Sequence, residues 1–261
     1  MLAELQKYAF ATTGMLVVKN FYRTDTVEQM LFNIDATKPQ TLCIKNDPKL
    51  FMSIMSDSRI IDFCSKFIGP WFRFDHELVV NQTKESQPYL HGGQFGSHGT
   101  CFYHEAERYS WNGQLTVGIV LIKQNSETGG FAYIPGSQHS NHGGQYGQQL
   151  EVWKEAINEL AIVPELNPGD LYIFSEALVH GQKQWNCNFP RTTFYMKYVP
   201  GYMAWQDYEI TQSYLSYAKN DLQRALLAPP YVRQGGGDVW PHSTPYSFRQ
   251  SITRLDRKTI N

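Results

Sequence analysis

Hydrophobic residues in the first seventy positions recur at the three- and four-residue spacing of amphipathic helices. This spacing predicts a helix over about Leu2 to Ala11, followed by a short apolar strand from Met15 to Val18. The next helix is predicted to be capped by Asp25 or Thr26. A further helical stretch is predicted from about Leu50 to Phe67, so the N-terminal part, about residues 1–70, is expected to be mainly helical.

Beyond this region the pattern changes to short β-like runs separated by Gly, Pro and Asn, which is typical of a sandwich, barrel or jelly roll. The predicted strands are Phe74–Asn81, Leu115–Ile122, Phe131–Ile134, Leu171–Phe174 and Thr192–Val199. The segment from Tyr208 to Leu227 has a helical pattern, and Pro and Gly clusters after it predict a loose C-terminus. No repeat or linker divides the chain. We therefore expect one domain over residues 1–261, with its β core at about 71–205 and a helical tail at about 206–261.

Composition and charge exclude several classes of function. Hydrophobic residues make up 42% and charged residues 18%, as in an ordinary globular protein. The formal net charge is -1 and the basic residues are scattered, which argues against nucleic acid or an anionic membrane as a partner. Without a signal peptide, a membrane span or paired cysteines, the sequence predicts a cytoplasmic protein with reduced thiols. Nothing in it indicates an oligomeric state.

Two histidines and an arginine in the β half are the candidate functional residues. His91 lies in Tyr-Leu-His-Gly-Gly, His180 follows a predicted strand, and Arg191 comes eleven residues after His180. Imidazole suits Fe(II), and a two-histidine iron site leaves open positions for oxygen chemistry. An arginine at a strand start offers a planar fork for a keto-acid carboxylate. Taken singly, each residue is better explained as structural or surface-exposed, so only their combination predicts a site.

Around these residues the sequence resembles the phytanoyl-CoA dioxygenase-like branch of the Fe(II)/2-oxoglutarate oxygenases. The segment Gly14–Tyr22 is similar to the family's first strand, and Gly129–Ser137 is similar to its Gly-rich turn. Asn167–Phe174 matches the strand that leads to the distal metal histidine. The resemblance implies a mainly β fold with flanking helices, namely a double-stranded β-helix, the cupin-like jelly roll.

The resemblance also implies the roles of individual residues. His91 and His180 would bind Fe(II), and Arg191 would bind the distal carboxylate of 2-oxoglutarate. Strand alternation places Thr193 and Tyr195 on the face of Arg191, where they would line the co-substrate pocket, although cross-strand packing explains Tyr195 equally well. The implied reaction uses dioxygen to oxidise an aliphatic carbon of a small molecule, such as a polar metabolite or natural-product intermediate.

Gly93 departs from the family pattern, in which an aspartate stands two positions after the proximal histidine. A glycine cannot ligate iron. Related aliphatic halogenases have Gly or Ala at this place, and chloride fills the vacant position. The sequence therefore slightly favours halogenation, specifically chlorination, and adds chloride to the expected cofactors.

Two alternatives to halogenation stay open. Gly92 and Gly93 could form a tight backbone bend, with the third iron ligand supplied from elsewhere in a hydroxylase. Glu176 is one candidate ligand, because a helical turn would place it on the same face as the histidine four residues later; Glu105 and Asp170 are others. The second alternative belongs to another class, a cupin-like binding protein that has lost catalysis through Gly93.

Overall fold

Helices flank a β core in this chain. The structure, a computed structural model, describes residues 4–34, 43–94, 99–106, 109–140 and 150–230. The helices are α1 (Glu4–Thr13), α2 (Thr24–Asn33), α3 (Pro48–Met55), α4 (Ser58–Phe67), α5 (Leu150–Glu159), α6 (Tyr208–Gln212) and α7 (Asp221–Leu226). The strands are β1 (Met15–Val18), β2 (Phe72–Gln82), β3 (Tyr89–His91), β4 (Tyr103–Ala106), β5 (Tyr109–Asn112), β6 (Leu115–Val120), β7 (Gly130–Tyr133), β8 (Leu171–Ser175), β9 (His180–Lys183) and β10 (Arg191–Pro200).

The strands form two main antiparallel sheets. The larger sheet has the order β1-β8-β6-β10-β2, and the smaller one has the order β3-β9-β7. Strands β4 and β5 pair with each other as a separate ribbon. Since non-consecutive strands are neighbours in both sheets, the chain crosses repeatedly between them. This arrangement is a jelly roll with flanking helices, which confirms the predicted fold class.

The larger sheet presents a different set of side chains on each face, as strand alternation requires. On β10, Phe194 and Met196 pack with the N-terminal helices, and the Phe194 ring lies 5.0 Å from that of Phe51 on α3. Tyr195, between them, packs instead with Phe131 of the smaller sheet. The outer face therefore forms the main apolar core, and the inner face lines the space between the sheets.

The smaller sheet also has two faces. Leu90 of β3 and Ala132 of β7 pack with Ala156 and Ile157 of α5 on its outer side. Residues that alternate with them face the larger sheet. Strands β3 and β9 were absent from the predicted set because β3 has only three residues and β9, with the sequence His-Gly-Gln-Lys, has no apolar side chain, so neither shows an apolar run or alternation.

Helix boundaries differ from the predicted ones at three places. The helix predicted to be capped by Asp25 or Thr26 begins earlier, with Arg23 at its N-cap and no side-chain cap. The single helix predicted up to Phe67 is two helices, because the Asp57 side chain accepts a hydrogen bond from the Arg59 amide and starts α4 afresh. In the tail, the Asn220 side chain similarly starts α7, so the predicted long helix is also divided.

Other expectations concern the cysteines, the membrane and the C-terminus. Cys43, Cys64, Cys101 and Cys187 form no disulfide bond with one another. No helix in the described ranges combines the length and the apolar character that crossing a bilayer requires. The segment predicted to be a loose C-terminus, from residue 231 onward, lies outside the described residues.

We expect Phe10→Ala to lower the free energy of unfolding by about 3–5 kcal/mol, the usual cost of deleting a buried aromatic ring. The Phe10 ring is buried and stacks on Phe67 with 3.9 Å between ring centroids, so it fixes α1 to α4. Chemical denaturation measures the change. Phe32→Ala is the matched control, because Phe32 is 90% exposed and its removal should change stability by less than about 0.5 kcal/mol.

Candidate active site

The two candidate metal-binding histidines lie opposite each other on neighbouring strands. In the β3–β9 pair, His91 is the direct partner of His180, and their ring centroids are 4.3 Å apart. Directly paired residues point to the same face of a sheet. Because Leu90 and Val179 pack outward against α5, the two imidazoles face the space between the sheets, where the Phe174 ring lies 4.5 Å from that of His180.

Both imidazoles are held in the neutral form that metal binding requires. His180 Nδ1 lies 2.7 Å from the carbonyl oxygen of Leu178, so Nδ1–H donates and Nε2 keeps its lone pair. Burial lowers the pKa of His180, against the opposing attraction of Glu176. The His91 side chain is exposed on one side. Desolvation by the protein around the rest of the ring, and then repulsion from His180, lower its pKa to about 3.

A glycine bend brings these strands together. Gly92 and Gly93 have φ values of 90° and 93°, which side-chain-bearing residues rarely adopt. A Cβ atom on Gly92 would lie 2.4 Å from the carbonyl oxygen of Leu178, the same oxygen that accepts from His180. Gly92 therefore allows the close approach that fixes the His180 ring. Gly93 is buried and adopts the bend that the sequence left as one explanation of the missing aspartate.

Glu176 is the carboxylate beside the histidine pair. The turn from Ser175 to Leu178 places its Oε2 3.8 Å from His180 Nε2. Its Oε1 accepts hydrogen bonds from Lys197 Nζ, at 2.6 Å, and from the Thr116 hydroxyl. Burial alone would raise the pKa of Glu176, but Lys197 and the histidines outweigh it and hold that pKa below its usual range. Glu176 is therefore ionised, and among the described residues its Oε2 has no hydrogen-bond donor.

The other two candidate ligands lie elsewhere. Asp170 accepts from Lys19 Nζ at 3.0 Å and from the Asn20 amide at 2.8 Å, so it holds the turn that enters β8. Glu105 is exposed on β4. Within the described ranges, no three His, Cys, Asp or Glu side chains already form a complete metal cluster. Ligands about 2.1 Å from one ion stand roughly 3 Å apart, so Glu176 approaches His180 closely but not at ligand spacing.

Arg191 is a buried cation with neutral partners. Its Nε donates to Gln124 Oε1 at 2.8 Å, and its terminal nitrogens donate to the hydroxyls of Tyr195 at 3.3 Å and Tyr172 at 3.5 Å, and to Gln82 Oε1 at 3.4 Å. Among the described residues, no carboxylate lies within ion-pair distance of it. A buried charge without a counter-ion is costly, so this guanidinium suits an incoming anion.

Several aromatic side chains lie between the arginine and the histidine pair. The Tyr195 and Tyr172 hydroxyls share a short hydrogen bond next to Arg191. The Phe131 ring lies 4.8 Å from that of Tyr172 and 6.2 Å from that of His180, and the exposed Tyr89 ring lies 5.5 Å from that of His91. Arg191 and Lys197 lie on the same face of β10, and Lys197 contacts Glu176 beside His180. The arginine and the histidines therefore lie on the same side of the larger sheet.

The structure places Thr193 on the face of Arg191 and buries it. It also shows functional neighbours that sequence reasoning missed. Lys197 and Tyr172 could have been found from strand alternation, which puts the first on the Arg191 face and the second on the inner face of β8. Gln82 and Gln124 gave no local signal, since Gln82 lies near Arg191 only through strand pairing and Gln124 only through a side-chain hydrogen bond between distant segments.

Several solved structures share this fold. HygX from Streptomyces hygroscopicus with iron bound has a TM-score of 0.67 and 21% identity, over 78% of this chain and 89% of that one. Its complex with nickel, 2-oxoglutarate and hygromycin B gives 0.63 and 20%, over 78% and 89%. SnoK, the non-heme alpha ketoglutarate dependent carbocyclase from nogalamycin biosynthesis, gives 0.57 and 16%, over 77% and 85%.

A further match is EctD from S. alaskensis with 2-oxoglutarate and 5-hydroxyectoine, with a TM-score of 0.59 and 17% identity over 76% of each chain. No protein-family model and no curated protein matches the sequence. At these identities the similarity establishes the jelly-roll fold that the chain shares with these iron and 2-oxoglutarate proteins.

We expect Gly92→Ala to weaken Ni(II) binding about 10- to 100-fold, the usual effect of disturbing a group that orients a metal-binding histidine. The added methyl group would collide with the Leu178 carbonyl and displace His180. Calorimetric titration of the apo protein measures the affinity. Gly69→Ala is the matched control, because Gly69 has a φ of 111° but nothing within 4 Å of an added Cβ. Equal losses in both variants would attribute the effect to backbone strain alone.

Proposed function

We propose that the chain is an Fe(II)- and 2-oxoglutarate-dependent enzyme that oxidises an aliphatic carbon of a small molecule. The observation that carries this proposal is that two neutral histidines lie on the same side of the larger sheet as a buried arginine, which has no carboxylate partner among the described residues. The histidines suit Fe(II), and the arginine suits a dicarboxylate co-substrate. The resemblance to phytanoyl-CoA dioxygenase-like proteins points to the same chemistry.

The residues fit the cofactors chemically. His180 Nε2 and the His91 ring would hold the iron, and Arg191 would bind the distal carboxylate of 2-oxoglutarate, with Thr193 and Tyr195 lining that pocket. When bound, iron and 2-oxoglutarate supply the activation of dioxygen that oxidation of a C–H bond requires. Phe174, packed against His180, would keep bulk water from this space.

Similar structures support this assignment by what they contain. HygX has been solved with iron, and with nickel, 2-oxoglutarate and hygromycin B. EctD has been solved with 2-oxoglutarate and 5-hydroxyectoine. Hygromycin B and 5-hydroxyectoine are small molecules, which supports a small-molecule substrate here as well.

We assign the third protein ligand to Glu176, which favours oxygen insertion, as in a hydroxylase, over halogen transfer. Its Oε2 faces His180 and accepts no hydrogen bond from the part of the chain that the structure describes, which supports its being available to a cation. Two histidines with one carboxylate form the facial set of non-haem iron oxygenases. The bend at Gly92 and Gly93 explains the glycine without requiring a halide.

Halogenation is the second candidate, and one specific observation favours it. The ion pair with Lys197 could keep Glu176 away from the metal, and the position beside Gly93, which has no side chain, would then take chloride. Mass spectrometry of the product formed with and without chloride separates the two reactions. Product that carries chlorine only when chloride is present would replace our assignment by halogenation.

A buried side-chain amide next to Glu176, that of Gln114, supports a polar substrate. Gln114 is hydrogen-bonded through its carbonyl to the Glu176 amide, so the two residues are cross-strand neighbours. Its side-chain Nε2 is buried and has no hydrogen-bond partner among the described residues, and such a donor costs about 1–3 kcal/mol when left unpaired. A hydroxyl, carbonyl or carboxylate oxygen of the substrate would satisfy it.

We expect Arg191→Ala to weaken 2-oxoglutarate binding to the Ni(II)-loaded protein by orders of magnitude while leaving Ni(II) affinity nearly unchanged. Removing one member of a buried charge pair costs about 2–5 kcal/mol. Calorimetry measures both affinities. Lys183→Met is the matched control, since it removes a partly exposed positive charge from β9 and should alter neither. Unchanged 2-oxoglutarate affinity in Arg191→Ala would refute its assigned role.

We expect the double variant Glu176→Gln with Lys197→Met to bind Ni(II) at least about tenfold more weakly than the wild type, as loss of a ligand requires. The double change removes one charge of each sign, so general electrostatics cannot explain a loss. The matched control is Asp170→Asn with Lys19→Met, which removes another lysine–carboxylate pair at 3.0 Å.

Wild-type Ni(II) affinity in the Glu176 and Lys197 double variant would exclude Glu176 as a ligand.

Succinate release distinguishes an enzyme from the alternative of an inactive binding protein. Fe(II) is loaded without oxygen, and 2-oxoglutarate and air are then added. A catalytically inactive cupin-like module would release no succinate with any substrate.

A further inference from the structure

The Glu176 carboxylate is held on one side only. Its Oε1 accepts from both Lys197 and Thr116, while Oε2 accepts from neither. Lys197 and Thr116 are direct partners in the β10–β6 pair, so the sheet register itself places both donors beside one oxygen. Glu176 comes from a different segment, the turn after β8, and lies across from them.

This contact is buried, which makes it strong and directional. The side chains of Lys197 and Glu176 are 15% and 6% exposed, and the distance between Nζ and Oε1 is 2.6 Å. Charge-assisted hydrogen bonds at this distance are about twice as strong as neutral ones. The Thr116 hydroxyl donates a second hydrogen bond to the same Oε1 from another direction. With Oε1 fixed by two donors, the carboxylate cannot rotate without breaking both.

We propose that Lys197 and Thr116 are positioning residues, which hold Glu176 so that only Oε2 faces the histidine pair. The proposal rests on the function proposed above, with Glu176 as the third ligand. A carboxylate held through Oε1 can bind a metal through one oxygen only. The remaining positions around the ion then stay free for 2-oxoglutarate and dioxygen.

The direction in which Ni(II) affinity changes in Lys197→Met distinguishes a positioning role from a purely electrostatic one. An ammonium group repels a divalent cation, so a lysine that acted by charge alone would weaken Ni(II) binding, and Lys197→Met would strengthen it. Positioning predicts the opposite. We expect Lys197→Met to bind Ni(II) about 10- to 100-fold more weakly in calorimetric titration of the apo protein, as is usual for residues that orient ligands.

Two further variants test the same contact without loss of charge. Thr116→Val replaces the hydroxyl by a methyl group of similar size, and it should weaken Ni(II) binding several-fold. Lys197→Arg keeps a positive donor and should retain more affinity than Lys197→Met. Lys19→Met is the matched control, because Lys19 pairs with the buried Asp170 carboxylate at 3.0 Å away from the histidines, and its loss should not change Ni(II) binding.

Thermal unfolding of each apo variant shows which are folded. If Lys197→Met does not fold, Thr116→Val decides, and unchanged Ni(II) affinity there overturns the proposal. In folded Lys197→Met, unchanged or tighter Ni(II) binding overturns it as well. If that result accompanies a loss of affinity in the Glu176 and Lys197 double variant, Glu176 stays a ligand and only the positioning role fails. An unaffected double variant would instead remove the ligand itself.

Discussion

The arrangement of the site depends on the close approach of the Gly92 backbone to the Leu178 carbonyl. Strands β3 and β9 pair with His91 opposite His180, and directly beside this pair a Cβ atom on residue 92 would lie 2.4 Å from the Leu178 carbonyl oxygen. The same carbonyl accepts the Nδ1–H of His180 and so selects the nitrogen that faces the interior. One steric constraint thus sets both the spacing of the imidazoles and the tautomer of one of them.

The charges of the groups between the two sheets do not all cancel. Glu176 and Lys197 form a closely spaced pair whose charges cancel, and both histidines are neutral. Arg191 stays positive among amide and hydroxyl oxygens. In a low-dielectric interior this imbalance matters, because a single uncompensated cation strongly favours an anion over a neutral ligand. Under the proposed function, the histidine end would receive the metal ion and the arginine end a carboxylate of the co-substrate.

The two faces of the larger sheet carry different kinds of side chains. Its outer face packs large apolar side chains such as Phe194 and Met196 against the helices, and this packing provides most of the core. Its inner face carries Arg191, Thr193 and Lys197, which contribute hydrogen bonds and charge in place of apolar packing. Because alternate residues of one strand serve the two faces, the polar inner positions do not interrupt the apolar packing on the other side.

The sequence by itself determined the elements that have a local signature. The long strands β2, β6, β8 and β10 follow from apolar runs and alternation, and the face shared by Arg191, Thr193 and Tyr195 follows from the same period of two. The jelly roll was predicted from the spacing of these strands and from the family resemblance. The combination of His91, His180 and Arg191 was visible in the sequence, although not its geometry.

Only the tertiary structure decided the rest. Strand β3 has only three residues and β9 has no apolar side chain, and the caps at Asp57 and Asn220 divided helices that hydrophobic spacing had joined. The contact of Glu176 with Thr116 joins residues 60 positions apart. Hydrophobic periodicity records only which face of an element is buried. Which residues meet across the interior depends on sheet register and on where a glycine lets two backbones approach, and neither is encoded within a single segment of the chain.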